Sequence, residues 1–165
     1  MKKIEVQPLT TAAFQPYGDF CNLLDPKSCL YENGQPQFYS DLQRIYLGEN
    51  TNVAVSVGLE QKREENIIEF AEFHSKTDEA MLPLDGNVIV YFAPATGKKM
   101  PPFEKFEAFL IPKGTLVTVR QGVWHGCQLP VQNEYVRSLI LLPPMTYAND
   151  TYCYFFEEEQ KIWIG

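Results

Sequence analysis

Short runs of apolar and β-branched residues, separated by turns rich in Gly and Pro, set the rhythm of the chain. They cover 51–60, 87–94, 106–111, 115–120, 135–142 and 152–156. In 51–60, Val53, Val55, Val57 and Leu59 alternate with Asn52, Ala54, Ser56 and Gly58. That period of two gives a strand two distinct faces. Twelve prolines and ten glycines punctuate the sequence, so the pattern predicts many short strands joined by turns, a sandwich or barrel. Helix is scarce. The best candidate is 10–14, with Thr10 or Thr11 as N-cap and Pro16 ending it. The charged start of 60–70 reads as an exposed turn between strands, and 25–36 as a loop with an Asn33–Gly34 turn. Tyr91, Phe92 and Phe109 read as packing residues, and Tyr17, beside Gly18, as a structural plug.

At 165 residues the chain has the length of one domain, 1–165, and no linker or repeat divides it. A chain this long buries roughly two-thirds of its unfolded surface, enough to fold without disulfides. Cys21, Cys29, Cys127 and Cys153 are scattered with no C-x-x-C pair, which predicts reduced thiols acting as small apolar groups, and a cytoplasmic setting. The opening MKKIEVQPLTT has two lysines but lacks the apolar stretch of a secretory leader. No apolar run approaches the ~18 residues of a membrane span. The net charge of −7 argues against nucleic acid as a partner, because phosphates would be repelled.

Candidate chemistry gathers around the chain's two histidines, His74 and His125. Glu72 and His74 are two apart, so a strand points both to one face. Glu79 follows the next bend, where a second strand can return it to that face. Gly122 permits a tight turn before His125. The interior of a barrel is where such side chains converge. The set Glu72, His74, Glu79 and His125 suits a divalent first-row metal such as Mn, Fe, Ni or Zn. Trp124 is a pocket wall or a core residue. Arg120 offers a planar fork for a substrate carboxylate, or is a surface residue on a turn.

The spacing carries a further pattern. Five residues separate Asn66 from Glu72-Phe73-His74, four more lead to Glu79, and six more to Gly86. In the second segment, five residues separate Gly114 from Arg120, and Gly122, His125 and Leu129 follow. This resembles the paired motifs of the cupin superfamily, with Glu72 at a His position, Arg120 at a Pro position and Leu129 at an Asn position. The resemblance implies an all-β fold, a cupin-type double-stranded β-helix (jelly-roll) barrel, here with a short N-terminal helix.

Longer stretches resemble one cupin branch, the ureidoglycolate lyase family. They are 6–20, with its Pro-Leu, Ala-Phe and Tyr-Gly-Asp, then 72–86 with its Glu-x-His, and 122–126 with Val-Trp-His. The resemblance implies elimination of urea from ureidoglycolate to give glyoxylate, in the recovery of purine nitrogen. His74, Glu79 and His125 would then share the proton transfers as catalytic groups, and Arg120, Trp124 and Arg137 would bind substrate. Two departures stand out. Arg120 occupies a position where that family tends to carry His, and Pro143–Pro144 replace a polar pair. They keep two alternatives open: a small-molecule-binding cupin without catalysis, and a different metal-dependent cupin enzyme, an isomerase or dioxygenase. Barrels of this type commonly pair, so a homodimer is expected, with 152–156 and Ile162 to Ile164 supplying the interface.

Overall fold

The structure, a computed structural model, describes residues 2–27 and 38–165. The expected Asn33–Gly34 turn and Cys29 lie outside the described residues. The strands are β1 (Lys2–Ile4), β2 (Val6–Pro8), β3 (Gly18–Asn22), β4 (Ala54–Gln61), β5 (Ile67–Ile68), β6 (Phe70–Phe73), β7 (Glu79–Pro83) and β8 (Val88–Ala93). After them come β9 (Glu107–Ile111), β10 (Thr115–Val119), β11 (Trp124–His125), β12 (Leu129–Pro130), β13 (Tyr135–Leu142), β14 (Tyr152–Phe155) and β15 (Ile162–Ile164). Two one-turn helices interrupt them, α1 (Thr11–Phe14) and α2 (Thr146–Asn149). The Thr10 side chain caps α1 by accepting from the Ala13 N–H, as a β-region N-cap should.

Two sheets face each other. One runs β3-β10-β7-β13-β4; the other runs β14-β6-β11-β8-β9-β2, with β12 also paired to β8. A small third sheet, β1-β15-β5, covers the outside of the larger one. The apolar run 87–94 explains this layering. Val88, Val90 and Phe92 of β8 enter the core between the two main sheets, while Ile89, Tyr91 and Ala93 enter a second core beneath the third sheet. A strand buried on both faces needs a continuous rather than alternating apolar run. Tyr17 plugs the first core against Phe14, Phe92 and Phe109, and its hydroxyl donates to the Glu107 carboxylate.

The two faces of β4 divide in an instructive way. Val55, Val57 and Leu59 point to solvent, 67%, 59% and 61% exposed, and Val53 just before them is also exposed. The small face, Ser56 and Gly58, lines an internal cavity. Their neighbours across the sheet, Leu139 opposite Val57 and Leu141 opposite Val55, extend the apolar outer surface. The C-terminal stretch does something other than expected. Ile162 and Ile164 are buried within the chain, because β15 pairs with β1 and β5. They are therefore committed to the third sheet and unavailable as an interface strand; Phe155 on β14 stays exposed.

Candidate active site

The site lies where β6 and β11 of the large sheet face β7 of the other. Glu72 and His125 are directly paired across β6 and β11, so their side chains share the inward face. Ala71 and Trp124, one position earlier on each strand, turn the other way into the second core. Glu79 opens β7 and comes from the opposite wall. His74 follows β6, on a turn pinned by Asp150, whose carboxylate accepts from the Ser75 and Lys76 N–H groups. Gly122, at φ +79°, supplies the turn before β11 and donates its N–H to the His74 carbonyl. That conformation is strained for any residue with a Cβ. The hydrogen bond ties the two histidine segments together.

The geometry of the four groups is tight. Glu79 Oε2 lies 2.9 Å from His74 Nε2 and 3.1 Å from His125 Nε2, and all three residues are buried. The ring centroids of the two histidines are 5.4 Å apart. One ligand atom each from Glu72, His74 and His125 falls within 4.8 Å of the others. The far nitrogens are held by carbonyls: His74 Nδ1 donates to Asp150 O, and His125 Nδ1 to Val123 O, each at 2.9 Å. A carbonyl accepts only from N–H, so each Nδ1 carries hydrogen and each Nε2 lone pair faces the cluster. A carboxylate oxygen between two such lone pairs is an acceptor meeting acceptors. The contact closes only with a cation between them, a proton or a metal ion. This is also how outer carbonyls commonly orient metal-binding histidines, so the donor set fits a divalent ion.

Without metal a proton on His125 takes that place. Burial disfavours a charged His125, but the hydrogen bond and charge of Glu79 outweigh it and raise its pKa to about 9. Burial likewise pushes the Glu79 carboxyl up, and the two histidines outweigh that too, holding it at about 2. Both shifts express one attraction, stronger in a dry site than in water.

A cavity of about 370 Å³ opens beside the cluster. Its polar lining comprises Ser56, Glu60, Glu72, Glu79, His125, Cys127, Gln128 and Tyr147, and Phe70, Met81 and Ile140 complete the wall. Among the described residues no Lys or Arg lines it. Arg120 instead bonds the Gln15 carbonyl and pairs with Asp19, and Arg137 pairs with Asp85 at 2.7 Å. Both are held at the surface and are not brought to the cavity. Arg137 occupies an odd position on β13, the outward face, which is why its register takes it away. Trp124 is buried in the second core with its ring 4.6 Å from Phe73, and its Nε1–H reaches Thr96. Sequence reasoning missed Glu60, Gln128 and Tyr147. Glu60 carried a signal, since it continues the Ser56–Gly58 face; Gln128 and Tyr147 sit in irregular segments whose direction no periodicity sets.

Two facing sheets in jelly-roll order, with histidines and carboxylates gathered inside, define a cupin. The branch is settled by comparison with known proteins: a family model described as ureidoglycolate lyase matches residues 1–162. The chain belongs to that family. It is 27% identical over 168 residues to the ureidoglycolate lyase of Chelativorans sp. (strain BNC1), covering 99% of this chain and 98% of the relative. It is 30% identical over 136 residues to ureidoglycolate lyase 2 of Rhizobium meliloti (strain 1021), covering 81% and 82%. The corresponding figures for the enzyme of Rhodobacter capsulatus are 29% over 132 residues, 79% and 81%.

Proposed function

We propose that this cavity eliminates urea from ureidoglycolate, leaving glyoxylate. The observation that carries the reading is the cluster of Glu72, His74, Glu79 and His125 beside one cavity in a chain of this family. The reaction moves one proton from the carbinol oxygen to the nitrogen that departs. The C–N bond breaks, and the oxygen's electron pair becomes the new C=O bond. In this reading the Glu79 carboxylate, which lines the cavity, takes the hydroxyl proton and returns it to the leaving nitrogen. His74 and His125 orient that carboxylate through their Nε2 atoms, and Asp150 and Val123 orient the rings. Glu72, His74, Glu79 and His125 would hold a divalent ion of the Mn, Fe, Ni or Zn type, whose charge would attract the substrate's carboxylate and make its hydroxyl more acidic. Such an ion would also answer for the lack of Lys and Arg in the lining. Phe70, Met81 and Ile140 give the cavity an apolar wall.

The test combines a substrate panel with elemental analysis of one preparation. Urea and glyoxylate are expected in equal amounts from ureidoglycolate, along with a bound first-row metal. No turnover above background with Mn, Ni or Zn added would remove the reading.

We also assign the expected homodimer to the outer face of β4 and β13. Val53, Val55, Val57, Leu59, Leu139 and Leu141 make an uncharged surface, bordered by the Arg137–Asp85 pair. A contiguous exposed apolar patch marks a contact surface. A second copy is the fitting occupant, because a two-fold axis sets apolar strip on apolar strip. The proposed pair would act in a reducing cytoplasm, in keeping with free Cys21, Cys127 and Cys153.

A further inference from the structure

One end of the cavity gathers side-chain oxygens able to accept hydrogen bonds. Gln128 is 5% exposed, lines the cavity, and its Oε1 has no hydrogen-bond partner. An unsatisfied buried acceptor costs about 1–3 kcal/mol and calls for an explanation. Glu60 lies on the inner face of β4 and lines the same space. Its carboxylate folds back over Gly58, where a Cβ would come within 2.9 Å of Oε1. Ser138, opposite Gly58 in the sheet, is fully buried with an unpartnered Oγ. β12, immediately after Gln128, approaches β4, and Glu60 and Gln128 both line the cavity.

We infer that Glu60 and Gln128 form a subsite for a planar group bearing several N–H donors, the ureido end of the substrate. This rests on the proposed lyase reading and adds which residues grip the leaving group. A ureido group presents two parallel N–H bonds along one edge, the spacing that a carboxylate accepts in pairs. A further N–H satisfies Gln128 Oε1. Burial pushes the Glu60 carboxyl up, partly offset by the Arg63 charge, so a neutral donor restores contacts that water no longer supplies. A site built to pair with N–H groups rejects an analogue lacking one, because its own acceptors are left bare.

The test uses two ligands without the carbinol hydroxyl, neither of which can be cleaved. Ureidoacetate carries the full ureido group; acetylglycine replaces its terminal NH₂ by methyl. Calorimetric titration of the purified protein is expected to give at least tenfold tighter binding of ureidoacetate. In Glu60→Gln and in Gln128→Leu that preference is expected to fall at least fivefold, because ureidoacetate loses more than acetylglycine, which keeps only one of the N–H groups. Circular dichroism verifies the fold of both variants. Equal binding of the two ligands by the wild-type protein, or an unchanged preference in both variants, overturns the subsite. Loss of urea release with the preference intact overturns only the lyase reading; urea release with no preference overturns only the subsite.

Discussion

Replacing Glu79 by Gln should reverse the pH dependence of stability rather than simply lower it. In metal-free protein the Glu79 carboxylate draws a proton onto His125, whose pKa rises from 6.5 to about 9. A folded-state pKa above the unfolded one gives stability that is complete below pH 6.5 and is lost as pH rises through 9. At 1.36 kcal/mol per unit the loss is on the order of 3 kcal/mol. An amide in the same place offers two N–H donors to the two Nε2 lone pairs, which neutral rings accept directly. With the carboxylate gone, burial is the largest remaining influence on His125, outweighing the Glu72 charge and the Val123 carbonyl, and it depresses the pKa. A depressed histidine contributes stability above pH 6.5 and loses it as pH falls. The wild-type protein should therefore weaken between pH 6.5 and 9, while Glu79→Gln holds steady there and weakens towards pH 5. Urea denaturation after chelator treatment, from pH 5 to 9.5, measures both curves. Parallel curves above pH 6.5 would refute the reasoning, because the Glu79–His125 attraction would then have no part in stability.

Gly126→Ala should cost about 2–4 kcal/mol in urea denaturation, since an added Cβ would lie 2.0 Å from Tyr91 Oη. That hydroxyl donates to the Phe70 carbonyl and accepts from the Cys127 N–H. Part of the loss should return in the double variant with Tyr91→Phe, and strict additivity would contradict the contact. Arg120→Ala and Arg137→Ala should each stay within about 1 kcal/mol of wild-type stability, as exposed ion pairs do, and should leave the KM for ureidoglycolate unchanged. A tenfold rise in KM for either would place a guanidinium at the substrate after all. Val57→Lys should turn a dimer into a monomer in light scattering without altering the circular dichroism spectrum. A mass equal to the wild type's would clear the β4 face of that role.

The expected strands were legible because apolar runs of strand length are broken by Gly and Pro, and all six reappear as β4, β8, β9, β10, β13 and β14, β13 with the same ends and the others with shifted ones. The pairing of Glu72 with His125 was also legible, since Glu72 lies on a strand and Gly122 marks the turn before His125, whereas His74 lies just past the end of β6 and is placed by the turn that Asp150 pins. Which face of β4 looks inward was not. Its larger apolar residues lie outside, and only the partner strand decides that Ser56, Gly58 and Glu60 are enclosed. Arg120 and Arg137 drew attention because substrate chemistry calls for a cation. Asp19 and Asp85, which claim them, come from distant parts of the chain that no local pattern connects. Asp150 was hidden for the same reason: it reaches His74 across 76 positions.

The central claim is that urea leaves its substrate in the cavity bounded by Glu79 and His125. The most direct measurement follows glyoxylate and urea from ureidoglycolate with wild-type protein and with His125→Ala at matched concentration. Equimolar products are expected from the first and a fall of at least a hundredfold in the second, with its far-ultraviolet spectrum retained. Undiminished release by a folded His125→Ala protein would mean that the chemistry happens elsewhere.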